Sequence, residues 1–381
     1  LPAPARCPLR QGSAAPTTAR FRVPDAATGD GAAIVPLERM GQRDVRLAPA
    51  AQPGGRRREG KVVDDEDEDV LRAAGLAFDE GFDFFYSGQS DKALAAFREA
   101  YGIYQRAGVN EGQTDCLLYI AIVFSYEGRY EDVVVTYRKA LRLAPQASRW
   151  RRRLTWLSNM GRALERLARY EEALDSYREA LQVHREFGRD ECRQITWLND
   201  AGHVLQRVGR HDEALESYRE ALEICQRTDC AGRQKADCLE SIGLSLSELG
   251  RYEEALGASR EALDIYRKLP NVDQDRGDCL LRVGDVLYWD GRFEGARESY
   301  CQALEVYRRL KGAERRQADC LVSIGKAQVM LDRYAEALAS WGEALEFYRR
   351  VGGGQEDQSD CLEEAMRELR DATGSHEEDT R

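Results

Sequence analysis

Cysteine recurs in this chain at a spacing that suggests chemistry. Asp237-Cys238-Leu239 is followed by the same trio at residues 278–280, 319–321 and 360–362, and an evenly spaced row of thiols points to metal binding, redox chemistry or disulfides. Cys225 and Cys230, taken with Cys192 and His184, form the one grouping with zinc-like ligand types. A Cys-x4-Cys pair without a second pair at ligand spacing is a weak signal, so unpaired thiols and no metal are expected there. The four histidines, His184, His203, His211 and His376, are scattered, and Gly352-Gly353-Gly354 lacks the Lys-Ser/Thr of a phosphate loop. Carboxylates occur along every segment, so no pair stands out as acid and base. These residues predict no enzyme and no cofactor.

The cysteine slot explains itself once it is followed along the chain. It holds Leu76, Cys116, Trp156, Trp197, Cys238, Cys279, Cys320 and Cys361. A metal ligand or redox thiol does not exchange for Trp, whereas an apolar packing position does, and free Cys behaves as a small buried hydrophobe. Successive equivalent helices stand at least about 8 to 10 Å apart, beyond the roughly 7 Å Cα limit for a disulfide. A packing cysteine suits a reducing compartment, so a cytoplasmic location is expected.

The slot is one line of a larger period. With the Gly of Gly-Arg-Tyr as marker, equivalent positions are Gly88, Gly128, Ala168, Gly209, Gly250, Gly291 and Asp332, 40 or 41 residues apart, which makes seven units. In the fifth, Cys238, Leu239, Ile242, Gly243, Leu246 and Leu249 form one helical stripe, and Ala255, Leu256, Ser259, Ala262, Leu263 and Tyr266 form a second. Gly250-Arg251 separates them, because Gly accepts the left-handed conformation at a helix C-terminus. Each unit is therefore an antiparallel helical hairpin. Gly161, Gly202, Gly243, Gly284 and Gly325 fall in mid-helix, where Gly costs about 1 kcal/mol relative to Ala, and close approach of the facing helix is the expected offset. One hairpin cannot bury both stripes, so neighbours must stack.

The pattern Leu239-x2-Ile242-Gly243-x2-Leu246 followed by Ala255-x3-Ser259-x2-Ala262, matched more fully by Leu280, Val283, Gly284, Leu287, Ala296, Tyr300 and Ala303 and by the terminal Pro145, resembles the tetratricopeptide repeat family. The period is longer than that family's usual one and is similar to the kinesin light chain type. In the slots where that type tends to carry Asn, this chain has Tyr119, Asn159, Asp200, Ser241, Arg282 and Ser323. The resemblance covers about residues 70–372 and implies an all-α, right-handed superhelical solenoid of seven repeats. The half unit from Asp360 to Arg370 would be its C-terminal capping helix.

Residues 1–69 are expected to be a disordered tail and charged linker, 70–372 the solenoid, and 373–381 a disordered tail. Residues 1–61 carry eleven Arg or Lys against five Asp or Glu, or +6, so the rest of the chain holds −17 of the total −11. A body that acidic disfavours nucleic acid, which leaves an RNA-binding helical repeat as a lesser alternative. The first 24 residues contain Arg6, Arg10, Arg20 and Arg22 but no acid. That bias suits an organellar transit peptide, and an organellar assembly or regulatory factor is a further alternative. No run of about 18 apolar residues occurs, so no membrane insertion is expected.

By the resemblance, first-helix residues outside the packing stripe line a concave groove that binds a peptide or partner helix, in a scaffold without a catalytic step. The positions so implied are Arg162, Arg166, Asn199, His203, Arg207, Asp237, Asp278, Asp285, Tyr288, Asp319 and Lys326. Positive charge gathers at Arg162, Arg166 and Arg207 and acid at Asp237, Asp278 and Asp319, so a ligand of mixed charge is expected. An Asp in a helix's first turn is also stabilised by the helix dipole without any ligand. The crowd of Phe78, Phe82, Phe84, Phe85 and Tyr86 reads as a cover over the end of the solenoid core.

Overall fold

The 41-residue period appears in the computed structural model as paired helices. The structure describes residues 65–143, 150–188, 190–228, 232–351 and 356–378. Within them every element is an α-helix and there is no strand. In chain order the hairpins are α1 (Asp65–Tyr86) with α2 (Ser90–Arg106), α3 (Asn110–Tyr126) with α4 (Tyr130–Leu143), α5 (Trp150–Arg166) with α6 (Tyr170–Phe187), and α7 (Cys192–Val208) with α8 (His211–Thr228). These four make an N-terminal unit. A C-terminal unit follows with α9 (Gly232–Glu248) and α10 (Tyr252–Tyr266), α11 (Asp273–Trp289) and α12 (Phe293–Arg308), α13 (Glu314–Met330) and α14 (Tyr334–Val351), and a last helix α15 (Glu356–Glu378). Inside each unit a helix packs on its neighbours in the chain, which is the solenoid arrangement.

The turn inside each hairpin rests on a residue with positive φ. Gly88, Gly128, Gly209, Gly250 and Gly291 take φ between 70° and 82°, and Ala168 and Asp332 are held at 57° and 59° in the same slot. The backbone geometry is thus kept even where the residue type is unfavourable. The mid-helix glycines sit where expected: a Cβ on Gly202 would lie 2.5 Å from the ring of Tyr218, and one on Gly161 2.6 Å from that of Tyr177. At Gly161, Gly202 and Gly284 the second helix leans a tyrosine ring directly over the first, at Gly325 it leans the Trp341 ring, and at Gly243 it presents Ser259.

The stripes of the fifth unit are buried as read, apart from Leu249, which is half-buried. Cys116, Trp156, Trp197, Cys238, Cys279 and Cys320 are buried, whereas Leu76 is 65% exposed and Cys361 is exposed. The slot faces the preceding hairpin, as shown by the Cys279 thiol 3.4 Å from the Ser259 carbonyl. For Leu76, α1 is the first described helix.

Two expected boundaries move. Residues 65–69, expected in a charged linker, form the first turns of α1. Residues 373–378, expected in a disordered tail, continue α15, since the single Gly374 costs only about 1 kcal/mol. The expectations for residues 1–64, including the acid-free leader, lie outside the described residues. Among the described residues no helix is long and apolar enough to cross a membrane.

Candidate functional site

In the N-terminal unit the first-helix residues divide into engaged and open. Arg162 is engaged: its guanidinium lies 3.2 Å from the Asp200 carboxylate of the next hairpin. Burial pushes the Asp200 carboxyl up, and Arg162 works against that shift. Arg166 and Arg207 are exposed, the latter with its guanidinium 5.4 Å from the Tyr170 ring centroid. His203 is exposed, with Nδ1 2.9 Å from the Tyr218 hydroxyl, which donates to Gln206 at 2.9 Å. Asn199 is half-buried beside Asp200. The expected cluster of three cations is therefore reduced to two that face solvent.

The aromatic crowd of α1 also divides. Phe78 and Phe82 pack edge-on against Phe97 and Tyr119 at centroid distances of 4.4 to 5.7 Å, so they are core. Tyr86 at 66% exposure and Tyr126 at 69% stand open, with Phe85 between them, 5.6 Å from one and 5.5 Å from the other. Tyr126 was missed in the sequence, although it holds the slot of Tyr86 one repeat on.

In the C-terminal unit the aspartates of the trio turn inward to their own hairpin. Asp237 accepts the Tyr266 hydroxyl at 2.7 Å, Asp278 that of Tyr307 at 2.7 Å, and Asp319 that of Tyr348 at 3.1 Å. Each tyrosine lies 29 residues on, in the last turn of the second helix. Asp278 also meets Arg316 at 3.2 Å, and Glu240 meets Arg282 at 2.8 Å while accepting from Tyr266 at 3.2 Å. Burial pushes the Glu240 and Asp319 carboxyls up and the Tyr266 and Tyr307 hydroxyls up, the neighbouring carboxylates adding to the latter.

Asp285 differs from these. It accepts the Tyr300 hydroxyl at 2.8 Å and is exposed to solvent. The protein crowded around it nevertheless pushes its carboxyl up, against the pull of Tyr300, Lys326 and Arg282. Lys326 is half-buried, and burial pulls its ammonium down. Tyr288 packs edge-on between Trp289 at 5.7 Å and Phe293 at 5.4 Å. Trp289, missed in the sequence because it lies next to the slots that were followed, is 62% exposed.

The sulfur chemistry is structural. Burial pushes the Cys279 thiol up to about 12 and those of Cys116 and Cys320 up as well, so all three are protonated near neutral pH. Cys192 is disulfide-bonded, which corrects the expectation of an unpaired thiol there. Among the described residues no three His, Cys, Asp or Glu gather as metal ligands. His184 is buried, its ring between Trp150 at 6.3 Å and Trp197 at 5.3 Å, and its Nδ1 makes no hydrogen bond among the described residues.

A family model described as tetratricopeptide repeat matches residues 152–227, 193–268 and 278–353, together slightly more than half of the chain. Solved structures share the fold. A Signal Transduction ATPase with Numerous Domains with a tetratricopeptide repeat sensor, from Pyrococcus horikoshii, aligns at TM-score 0.60 and 13% identity over 79% of this chain, which spans 45% of that protein. A tetratricopeptide repeat protein from Parabacteroides merdae aligns at TM-score 0.53 and 14% identity, covering 78% of this chain and 99% of that one. The apo quorum sensor NprR from B. thuringiensis aligns at TM-score 0.52 and 17% identity, covering 80% and 82%. No curated protein matches the chain.

Proposed function

This chain belongs to the tetratricopeptide repeat family, and from that premise we propose that it is a non-catalytic scaffold that holds a protein partner, as an extended peptide or a helix, on the open residues of its first helices. The observation that carries the reading is where large apolar side chains meet water. Of the eight such residues among those described, Val70, Leu76, Tyr86, Tyr126, Val208, Leu244 and Trp289 lie on first helices and only Val135 on a second helix. Exposed aromatics are enriched where proteins bind proteins. Arg166, His203 and Arg207 in one unit and Asp285, Tyr288 and Lys326 in the other supply polar contacts, while Arg162, Asp237, Asp278 and Asp319 hold the scaffold in shape. Two of the similar structures are described as sensors, in keeping with a recognition role. The acidic charge of the repeat region supports a protein rather than a nucleic-acid ligand.

The test compares proteins captured by the wild-type chain, by a first-helix variant (Tyr126→Ser, Arg166→Glu, Leu244→Ser) and by a second-helix variant (Val135→Ser). The first-helix variant should lose the captured set and the second-helix variant should keep it. Equal capture by both variants would refute the reading.

A further inference from the structure

We infer that α11 carries an anchor for an arginine side chain of the bound partner, formed by the Asp285 carboxylate and the Trp289 indole. This rests on the scaffold reading and names the chemistry of one contact within it. Of the first-helix carboxylates described above in the C-terminal unit, Asp237, Glu240, Asp278 and Asp319 are half-buried, whereas Asp285 is exposed. Among the described residues it makes no ion pair, and its Oδ1 accepts the hydroxyl of Tyr300. A carboxylate offers about four acceptor sites, so one hydroxyl leaves room for a charged donor from outside. Arg282 is paired with Glu240, and Lys326 favours the charged form of Asp285.

The second observation is independent of the acid. Trp289 lies four residues on, hence one turn further on the same helix face, and it leaves most of its ring in water. Tyr288 braces it edge-on at 5.7 Å. An arginine suits both groups at once: its planar fork pairs with a carboxylate, and its flat cation lies over an indole face. Lysine matches the charge but not the plane. The combination belongs to α11 alone. The same two slots hold Phe82 with Tyr86, Ile122 with Tyr126, Arg162 with Arg166, His203 with Arg207, Leu244 with Glu248 and Lys326 with Met330.

The experiment titrates the full chain, with 15N in its indole groups, with an acetylated and amidated heptapeptide Gly-Leu-Ser-Arg-Ser-Leu-Gly. Matched peptides carry lysine or citrulline in place of the arginine. The arginine peptide should shift the Trp289 indole signal, bind at least threefold more tightly than the lysine peptide and at least tenfold more tightly than the citrulline peptide. Asp285→Asn, which keeps the side-chain shape, and Trp289→Leu should each weaken it about tenfold, with an unchanged circular dichroism melt. Glu305→Gln, an exposed acid on α12, should leave it unchanged. Equal binding of the arginine and citrulline peptides, an unmoved Trp289 signal, or wild-type affinity in Asp285→Asn would overturn the inference. If that happens while capture still depends on Tyr126, Arg166 and Leu244, the arginine anchor fails and the scaffold reading stands; if that dependence is lost too, both fail.

Discussion

In the C-terminal unit the first turn of each first helix is tied to the last turn of its second helix by a tyrosine hydroxyl on an aspartate: Tyr266 on Asp237, Tyr307 on Asp278, Tyr348 on Asp319. In the N-terminal unit the same two positions hold Thr155 with His184 and Thr196 with Cys225, so an Asp–Tyr pair is missing from them. Asp115 is met instead by Arg152 of the following hairpin, and Arg162 reaches across to Asp200. The hairpin therefore folds with or without its internal tie, because apolar burial and the ring-over-glycine contact recur in both units. The tie tunes how firmly a hairpin is closed.

The largest expected effect comes from that ring contact, and it should separate the hairpins that have it, in both units, from the Gly243 hairpin, which has a serine there instead. Gly202→Ala sets a methyl against the Tyr218 ring, a closely packed aromatic, and should destabilise the N-terminal unit by about 2 kcal/mol or more. Gly243→Ala meets the Ser259 hydroxyl, which can rotate, and the Ala255 carbonyl at 3.3 Å, which must shift slightly; the gain in helix propensity of about 1 kcal/mol offsets this, so it should cost clearly less than Gly202→Ala. Amide exchange resolved by helix measures both. Equal effects would mean that the tyrosine contact is looser than the geometry shows.

Next in size is the tie itself. Tyr266→Phe removes the donor shared by Asp237 and Glu240 and should cost the α9–α10 hairpin about 1.5 to 3 kcal/mol, the range for a hydrogen bond to a charged group. Thr155→Val, at the untied position of α5, should change stability by less than about 0.5 kcal/mol. Urea unfolding followed by exchange protection checks the pair.

Acid should also divide the units. Burial holds the His184 imidazole below its usual pKa, so the unfolded chain takes up a proton more readily than the folded one. That contribution to stability is complete above about pH 6.5 and is lost as pH falls from there through the folded value. In the C-terminal unit Glu240, Asp285 and Asp319 are shifted the other way, so their ionised forms oppose folding at neutral pH and protonation relieves them. Glu165 and Asp200 in the N-terminal unit share that upward shift, so the imidazole is isolated by comparing wild type with His184→Phe. Protection of α5 to α7 should fall between pH 7.5 and 5.5 in wild type and fall less in the variant.

The smallest effect concerns the turns. Ala168 is held at φ 57°, and Ala168→Gly should stabilise the N-terminal unit by about 0.5 to 1 kcal/mol, after the entropy that Gly adds to the unfolded chain. Asp332→Gly in the C-terminal unit should gain less, because Asp tolerates this conformation and Asp332 accepts the Tyr334 hydroxyl at 2.6 Å. Thermal melts rank the two.

Periodicity made the hairpins, the stripes, the turn slot and the small mid-helix residues legible, since each depends on local spacing. The Asp–Tyr tie was present as a signal too, because Asp at 237, 278 and 319 is matched by Tyr at 266, 307 and 348. Reading it required knowing that two helix ends 29 residues apart meet, which spacing within a helix does not reveal. In the sequence Arg162 reads as an open cation, because its partner Asp200 lies in the next hairpin. Tyr126 and Trp289 were passed over because exposure depends on what fails to pack nearby, and composition carries no trace of that.

The claim that the first helices receive the partner is tested most directly by amide exchange of the full chain with and without a captured protein. New protection should concentrate in α3, α5, α7, α9, α11 and α13 near Tyr126, Arg166, His203, Arg207, Leu244 and Trp289. Protection confined to α4, α6, α8, α10, α12 and α14 would contradict it.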